Sequence, residues 1–473
     1  MSITRPFAVS KSKIEIDDII NEDHKLTKLV FTYIASATFW LFFGTLIGLY
    51  LGIRFTAPDF GVEPWLSFGR LRPIHTNVVF WGWCSLSMIA LALYVVPRTS
   101  QRTLFSIKSA WISFFLINTS VLSGVICLFF GINNGGQEYR EFIWPVMVVF
   151  ASGLILLAHN LYKTIANRGT TEIYISNWYI LAAFIWTIVV AITAYLPWYQ
   201  NGLSETIIQG YYMHMGVGMW FTPMVLGLTY YFLPKLLNKP IYSYSLGVLA
   251  FWTQMVFYTM IGAHHFVFSP IPWWLQTVAI VFSFGMFVTL FAGTGNFLLT
   301  MKGSFRTISR SYSLPFILVG VIFYFFASGQ GSFEALRSLN KVWHFTNFTI
   351  AHSHLTMYGF VSFLIWGGIY SLIPRLTGNE PPQILVGIHF WFALLGVLIY
   401  GVALMIGGTM QGESWISGAA FIESVKLMFP FWIWRAVGGS FMFFSHIVFA
   451  FNVYKMKPFT DKYIITKSAE EIV

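Results

Sequence analysis

The chain alternates long apolar segments with short polar stretches, and twelve such segments follow one another. Each segment is long enough to cross the roughly 30 Å hydrocarbon layer of a membrane as an α-helix. The pattern therefore predicts an all-α membrane protein, a bundle of about twelve transmembrane helices. The predicted helices cover residues 30–53, 73–96, 109–130, 144–165, 175–196, 206–233, 243–268, 273–300, 313–329, 345–373, 385–410 and 428–455.

The polar stretches indicate how the bundle is oriented. An even number of crossings puts both chain ends on one face, and 20 of the 28 lysine and arginine residues fall in loops and tails on that face. Because basic loops remain in the cytoplasm, we expect both termini to be cytoplasmic. No linker interrupts the series, so residues 1–473 are predicted to form a single transmembrane domain with short tails at about 1–28 and 456–473.

Composition narrows the class of protein further. Hydrophobic residues make up 56% of the chain and charged residues only 10%, which excludes a water-soluble fold. The net charge of +10 is scattered in short clusters between apolar segments, so no nucleic-acid partner is implied. Cys84 and Cys127 lie inside apolar segments, and the chain has no Cys-x-x-Cys-His, so neither a disulfide framework nor covalently attached haem c is expected.

The predicted topology gives each histidine a depth in the membrane. Ionisable residues inside a membrane are usually functional or paired with one another. Four helices bring six of the 11 histidines into one layer near the face opposite the termini: His75, His214, His264, His265, His352 and His354. The others are interpreted as solvated, packing, hydrogen-bonding or surface residues: His24, His159, His344, His389 and His446.

Six histidines in one layer indicate metal binding, because imidazole is the usual protein ligand of copper and of haem iron. His264 and His265 point about 100° apart on a helix, so a metal that they share needs a third ligand, and His214 is available. The remaining three suffice for one haem with two axial histidines and a second haem with one histidine and an open site. The spacing leaves open whether His352 or His354 serves the second haem. An open haem iron that faces the metal bound by three histidines would be a site for reducing a small diatomic gas.

Four motifs, in order along the chain, carry a family resemblance: LRPIHTN around His75, HMGVG at His214, GAHH with Tyr258 before it, and FTIAHSH. From about Gly69 to Arg435 the chain resembles the haem-copper oxidase superfamily, and within it subunit I of the cbb3-type cytochrome c oxidases. The resemblance implies the subunit I helix bundle and a set of ligands. These are His75 and His354 for a low-spin haem b, His352 for a high-spin haem b, and His214, His264 and His265 for copper.

One tyrosine distinguishes the branches of this superfamily. In other branches the redox-active tyrosine follows the first copper histidine by four residues, where this chain has Gly218. The cbb3-type pattern moves the tyrosine to the next helix, and Tyr258 stands six residues before His264. The resemblance implies that Tyr258 is catalytic, is joined covalently to His214, and lends one electron and one proton to dioxygen reduction.

A proton pathway from the cytoplasmic side is also implied, because the metal layer lies near the outer face. By resemblance it would use Tyr230, Ser243 and Tyr244. Tyr244 precedes Tyr258 by fourteen residues, close to four helical turns, so both lie on one face of the same predicted helix.

Charged residues on the outer side complete the predicted site. Arg72 and Arg435, together with Lys341, would neutralise haem propionates, and Glu138 matches the place where the family holds calcium, a cation that prefers oxygen ligands. The stretch from 331 to 340 does not align with the family pattern, so no role is assigned to Glu334.

These features predict the catalytic subunit of a terminal respiratory oxidase in the inner membrane of a bacterium, where lipid surrounds it. It would reduce dioxygen to water with electrons from cytochrome c and couple this to proton translocation. Because the chain lacks a haem c motif, it would need partner subunits that contain haem c. One alternative is a nitric oxide reductase of the same fold, which uses non-haem iron and a glutamate where this chain has Gly218. Another is a non-catalytic transporter with structural histidines.

Overall fold

The computed structural model describes residues 13–61, 63–135, 137–196 and 201–458, with side chains from residue 23 onward. Of the predicted tails, residues 1–12 and 459–473 lie outside the described part. All regular structure within the described part is helical, which confirms the predicted all-α class.

Helices α1 to α17 make up the described part of the bundle. Three π-helical segments, Val78–Cys84, Gly216–Phe221 and Leu355–Ser362, and two 3₁₀ turns, Pro64–Leu66 and Gly262–Phe266, lie between them. In chain order the α-helices are α1 (Lys13–Arg54), α2 (Phe68–Asn77), α3 (Ser85–Ser100), α4 (Ile107–Phe129), α5 (Trp144–Ala166), α6 (Ile175–Tyr195), α7 (Gly202–Met215), α8 (Thr222–Leu237), α9 (Tyr244–Tyr258), α10 (Trp273–Met301), α11 (Phe305–Arg310), α12 (Leu314–Glu334), α13 (Arg337–Trp343), α14 (Asn347–His354), α15 (Phe363–Thr377), α16 (Gln383–Ile416) and α17 (Phe421–Lys455).

The twelve predicted crossings all fall on helical rods. In the described part of the chain, 10 rods are long and apolar enough to cross a membrane. The other two predicted crossings, 206–233 and 243–268, coincide with the rod from α7 to α8 and with α9 plus the 3₁₀ turn after it. Both of these carry candidate copper ligands. α9 has only 15 residues before the 3₁₀ turn begins, which is shorter than the roughly 20 residues that a straight membrane crossing needs.

Two rods lie at the centre of the bundle. In the rods Phe68–Ser100 and Asn347–Thr377, 89% of an 18-residue apolar stretch is buried inside the protein. The corresponding share in the other candidate crossings is 39–44%. The first of these rods carries His75, and the second carries His352 and His354. The two central rods therefore hold the candidate haem ligands away from the lipid-facing surface.

Each π-helical segment begins just after a candidate ligand. Val78–Cys84 starts three residues after His75, Gly216–Phe221 two residues after His214, and Leu355–Ser362 directly after His354. A π-helical turn inserts an extra residue into an α-helix and is frequent at functional sites, because it frees backbone groups and redirects the following side chains. The apolar pattern of the sequence carries no signal for these turns.

Candidate metal and haem centre

Three histidines from two neighbouring segments converge on one point. The candidate ligand atoms of His214, His264 and His265 all lie within 4.8 Å of one another, and we call this group the three-histidine cluster. His214 belongs to the last turn of α7, and the other two belong to the 3₁₀ turn that follows α9. Their ring centroids are 4.4 to 4.8 Å apart. Metal–nitrogen bonds of about 2 Å hold ligand nitrogens at most about 4 Å apart, so shifts of roughly 1 Å or less would bring these three atoms onto one ion.

Hydrogen bonds orient two of these rings. The Tyr258 hydroxyl lies 2.9 Å from His214 Nδ1, and His214 Nε2 is buried without a partner in the described residues. Ser283 donates its hydroxyl hydrogen to the Ala279 carbonyl at 2.7 Å, so it accepts from His264 Nδ1, which is 2.7 Å away. A ring nitrogen that donates carries the hydrogen, which leaves His264 Nε2 with a lone pair for a metal.

The ring of Tyr258 fills the space that a side chain at position 218 would need. A Cβ added to Gly218 would lie 1.5 Å from Tyr258 Cζ and 2.1 Å from its hydroxyl oxygen. Gln254, one turn earlier on α9, donates to the Gly218 carbonyl at 2.7 Å and fixes α9 against this π-helical segment. A tyrosine at 258 and any side chain at 218 therefore exclude one another in this packing.

His75 and His354 face one another from the two central rods. Their ring centroids are 6.4 Å apart, and their planes differ by 16°. Each Nδ1 donates to a backbone carbonyl, of Gly44 at 2.7 Å and of Ile350 at 2.9 Å, because a carbonyl can only accept. Both Nε2 atoms are thus free to bind a metal. Two metal–nitrogen bonds of about 2 Å each and two ring radii span roughly the observed separation.

His352 leaves the same helix in another direction and contacts Glu334. Its Nδ1 lies 3.6 Å from Glu334 Oε1, and both atoms are buried without a hydrogen-bond partner in the described residues. His352 also lies close enough to the three-histidine cluster to interact electrostatically with its members. Sequence reasoning assigns no role to Glu334; a carboxylate ending an apolar segment is the signal available.

Another histidine outside the predicted ligand set lies near the three-histidine cluster. His344 interacts electrostatically with His264 and His265, and burial lowers the pKa of its own ring. Its ring stacks on Phe345, with centroids 3.9 Å apart. No pattern in the sequence connects this residue, interpreted above as a surface residue, with the metal layer.

Arg72 lies between two carboxylates next to His75. Its guanidinium forms an ion pair with Glu138 and lies 3.8 Å from Glu141 Oε1. Glu141 is buried and accepts a hydrogen bond of 2.8 Å from Asn77, a role that the sequence motifs do not indicate. Burial raises the pKa of Glu141 to about 7. The carboxyl therefore changes its charge near neutral pH, close to the predicted position of the haem propionates.

Arg435, the other predicted propionate partner, lies near both His75 and His354. Its guanidinium carbon is 4.3 Å from the ring centroid of Phe55 and 5.7 Å from that of Tyr400. The Tyr400 ring in turn lies 4.4 Å from the ring of His354. Arg72 and Arg435 thus place positive charge beside both candidate axial ligands, whereas Lys341 is exposed on α13.

Two of the three predicted proton-pathway residues are connected. Asn296 donates to the Ser243 carbonyl at 2.8 Å, and its side-chain nitrogen lies 3.5 Å from the Tyr230 hydroxyl. Ser243 also caps α9 by accepting from Leu246 N–H. Tyr244, the first residue of α9, is 45% exposed. The structure therefore brings Ser243 and Tyr230 together and leaves Tyr244 at the surface.

One further tyrosine, which the sequence does not distinguish from the other 22, extends this group toward the metal layer. Tyr324 on α12 is fully buried, and its hydroxyl has no hydrogen-bond partner in the described residues. It interacts electrostatically with both Tyr230 and Tyr258. Tyr324 is thus near both the predicted pathway and the tyrosine at the three-histidine cluster.

Comparison with known proteins places the chain in a family. Residues 28–441 match the family described as cytochrome c and quinol oxidase polypeptide I. The chain belongs to this haem-copper oxidase family. Membership confirms the resemblance that the histidine motifs predicted, and it implies that haem and copper are the cofactors of the bundle.

Relatives within the oxidase family include different catalysts. The cbb3-type cytochrome c oxidase subunit CcoN1 of Stutzerimonas stutzeri is 30% identical over 448 residues, which cover 90% of this chain and 94% of that protein. A nitric oxide reductase polypeptide of the same species is 24% identical, over 87% of this chain and 91% of that protein. A cryo-EM structure of a heme-copper terminal oxidase dimer matches with a TM-score of 0.75 at 16% identity, over 93% of this chain and 86% of that chain, which shows a shared fold.

The residues of this oxidase-family chain fit haem and copper better than calcium. Three imidazoles with converging nitrogens suit copper, and the His75–His354 pair presents two free Nε2 atoms at a separation suited to one iron. Calcium takes about 6–8 oxygen ligands, whereas the carboxylate of Glu138 is already paired with Arg72. The surroundings of Glu138 in this chain do not by themselves fit a calcium site.

Proposed function

We propose that this subunit reduces dioxygen to water with electrons from cytochrome c and couples the reaction to proton translocation. The observation that carries this proposal is the Tyr258 hydroxyl, held 2.9 Å from His214 in the space left by Gly218. Complete reduction of dioxygen requires four electrons and four protons. A phenol beside the metals can lend one of each, which a site without it cannot do.

The proposal assigns a role to each side chain of the site. When bound, the high-spin haem and copper supply electrons and Lewis acidity for cleavage of the oxygen–oxygen bond. Tyr258 orients His214 and donates a proton and an electron, and Glu334 faces His352 Nδ1, where a carboxylate fixes the ring and makes it a stronger ligand. The proposed ligands are His214, His264 and His265 for copper, His352 for the high-spin haem b, and His75 and His354 for the low-spin haem b.

The proposed orientation puts both termini in the cytoplasm of a bacterium and the metal layer near the outer face of the inner membrane. The excess of lysine and arginine on the terminal side supports it. Partner subunits with haem c would then deliver electrons at the outer face. Arg72 and Arg435 lie there, and their positive charges would stabilise haem propionates.

Protons would enter from the cytoplasmic face along α9 and its neighbours. The side-chain contacts of Asn296 and the buried hydroxyl of Tyr324 support a continuous route, and hydroxyl and amide groups can pass protons along with bound water. In order, the proposed route is Tyr244, Ser243, Asn296, Tyr230, Tyr324 and Tyr258.

Nitric oxide reduction is the second candidate, since one relative over most of the chain belongs to a nitric oxide reductase. Such an enzyme would add a glutamate ligand to the non-haem metal. Within the described residues the candidate metal group contains three histidines and no carboxylate, and Gly218 leaves no side chain at the expected position. These observations favour the oxidase. Family membership likewise favours a catalyst over the transporter alternative.

Metal analysis of variants tests the copper assignment. We expect His264→Ala and His265→Ala to remove copper from the purified complex and to leave both haems, because neither residue is proposed as an iron ligand. His159→Ala, at an exposed histidine on α5, should keep the wild-type content of all three. Wild-type copper content in both cluster variants would contradict the assignment.

The two haems can be separated by spectroscopy. His75→Ala should abolish the low-spin haem spectrum while the high-spin haem still binds carbon monoxide, because His352 is independent of the His75–His354 pair. Loss of carbon monoxide binding with an intact low-spin spectrum would reverse the assignment of the two sites.

A further inference from the structure

A second group of buried polar side chains lies between α15, α16 and α17, on the side of the bundle where α1 begins and α17 ends, which we call the terminal face. It comprises Trp366, Tyr370, His389, His446 and Asn452, each no more than 1% exposed. We call it the terminal-side cluster. His389 lies six residues from the start of α16, and Asn452 lies three residues from the end of α17. Its lower end is therefore about one or two helical turns from the terminal face.

Hydrogen bonds fix the position of the hydrogen on His389. The Tyr370 hydroxyl oxygen accepts from Asn452 Nδ2 at 2.9 Å and lies 2.9 Å from His389 Nδ1. His389 Nδ1 is the only hydrogen-bond acceptor within reach of the Tyr370 hydroxyl among the described residues, so the single hydrogen of this hydroxyl is donated to His389 Nδ1. The neutral ring then carries its hydrogen on Nε2, which is buried and has no partner in the described residues.

His446 has the opposite arrangement. The Thr45 hydroxyl donates to the Leu41 carbonyl at 2.6 Å and therefore accepts from His446 Nδ1 at 3.0 Å. The hydrogen of this ring is on Nδ1, so its buried Nε2, also without a partner in the described part of the chain, is a lone pair. His389 thus offers a donor, and His446 offers an acceptor.

Trp366 lies between the two histidines, with ring centroids 4.7 Å from His389 and 5.8 Å from His446. Its Nε1–H and Asn452 Oδ1 are likewise buried without partners among the described residues. The cluster thus contains two unpaired donors and two unpaired acceptors. An unpaired buried polar group is unfavourable, and ordered water is the usual partner of such groups. Donors and acceptors in equal number suit bound water that connects them.

The end of the terminal-side cluster that is farther from the terminal face lies beside the segments that carry the proposed low-spin haem ligands. Thr45, which accepts from His446, directly follows the residue whose carbonyl accepts from His75 Nδ1. Tyr358, four residues after His354 on the same central rod, packs on the His446 ring with centroids 5.5 Å apart. Thr45 and Tyr358 therefore connect His446 with the segments that carry the two proposed axial ligands.

We propose that the terminal-side cluster is a redox-linked proton site, in which bound water between His389 and His446 carries a proton from the terminal face to His446 Nε2 when the low-spin haem is reduced. The inference rests on the proposed function, which places that haem between His75 and His354. One electron enters the haem, and one proton from bulk water forms an N–H bond on Nε2. When the electron moves on, the same proton leaves. The proton offsets a charge that is costly to hold in an apolar interior.

Few other titratable groups face His446. In the described part of the chain, Tyr358 contacts it from the π-helical segment and His389 lies near it on α16, and no carboxylate, lysine or arginine interacts with it. On the opposite face, Glu141, whose pKa burial raises to about 7, would give the haem a separate pH dependence. An experiment must therefore control the pH on each side of the membrane independently.

The test uses the purified complex, with its haems and partner subunits, in vesicles of known orientation. The midpoint potential of the low-spin haem is measured from its visible absorbance, with the pH on each side varied between about 6 and 9 around the usual range of histidine titration. We expect the wild-type potential to fall as the pH at the terminal face rises, by at most about 59 mV per pH unit for one proton per electron. His446→Leu should remove at least half of that slope and leave the opposite-face slope unchanged. His159→Gln, outside the cluster on α5, should keep both slopes.

A second variant tests the same proposal. His389→Phe removes the proposed donor to the bound water while His446 remains, so it should also reduce the terminal-face slope. If His446→Leu does not assemble, His389→Phe is sufficient to test the proposal. A wild type without a terminal-face slope, or an assembled variant of either kind with the wild-type slope, overturns the proton site. A wild-type complex with no low-spin haem would instead overturn the proposed function, and this inference with it.

Discussion

Replacing Gly218 with alanine tests the packing on which the oxidase proposal depends. The added Cβ would lie 1.5 Å from Tyr258 Cζ and 1.7 Å from its Cε1, whereas carbon atoms in contact lie about 3.5–4.0 Å apart. The ring would have to move by roughly 2 Å to restore contact distance. The hydrogen bond between Tyr258 and His214, now 2.9 Å, would then be broken, because such bonds weaken steeply beyond about 3.2 Å.

The magnitude follows from the two effects. Overpacking a core costs about 1–3 kcal/mol, and a lost internal hydrogen bond costs about 0.5–1.5 kcal/mol. We therefore expect Gly218→Ala to lower the stability of the purified complex by about 2–4 kcal/mol and dioxygen uptake by at least about tenfold. Thermal unfolding and oxygen-electrode measurements report the two effects. Gly216→Ala is the matched control, because a Cβ there meets nothing within 4 Å in the same π-helical segment.

A result in which Gly218→Ala equals Gly216→Ala in stability and oxygen uptake would refute this reasoning. Tyr258→Phe separates packing from chemistry, because it keeps the ring and removes only the hydroxyl. It should keep wild-type stability, unlike Gly218→Ala, but still lose dioxygen reduction. Wild-type dioxygen reduction in Tyr258→Phe would mean that the Tyr258 hydroxyl has no part in catalysis.

Two further predictions concern the haem-ligand pair and its charged surroundings. Gly48→Ala should deplete the low-spin haem selectively, because the added Cβ would lie 2.6 Å from Cε1 of His75. Gly52→Ala is the control and should keep the low-spin haem, because a Cβ there meets nothing within 4 Å. Equal haem spectra of the two variants would contradict this prediction. Burial raises the pKa of Glu141 from 4.5 to about 7, so the native state binds the extra proton, and stability should fall by about 3 kcal/mol as the pH rises from about 4.5 to 7. Thermal unfolding at several pH values checks this, and Glu141→Gln should lack that fall; an unchanged pH profile would show that Glu141 titrates normally.

The apolar pattern is sufficient to predict the fold, because burial in lipid requires long uninterrupted apolar segments whose lengths can be read directly. Six histidines can also be placed in one layer, since depth along a helix follows from position. Adjacent residues such as His264 and His265 point to a shared metal. The resemblance, not the spacing, distinguishes His352 from His354.

What the sequence could not supply are contacts between distant helices. Glu334 meets His352, and Glu141 meets Arg72, through tertiary packing that has no local signature. The π-helical segments escape prediction because an inserted residue does not alter a uniformly apolar pattern. His389 and His446 resemble packing residues in the sequence alone; their unpaired nitrogens become visible only when all neighbouring donors and acceptors are accounted for.

The most direct test of the central claim is turnover of the purified complex with reduced cytochrome c and either dioxygen or nitric oxide. Removing one hydroxyl in Tyr258→Phe changes packing little but takes away the proposed electron and proton donor. We predict that the wild type oxidises four cytochromes c per dioxygen consumed, and that Tyr258→Phe loses dioxygen reduction by about two or more orders of magnitude with normal haem and copper contents. Full dioxygen turnover in the variant, or turnover of nitric oxide without dioxygen reduction in the wild type, would contradict the account.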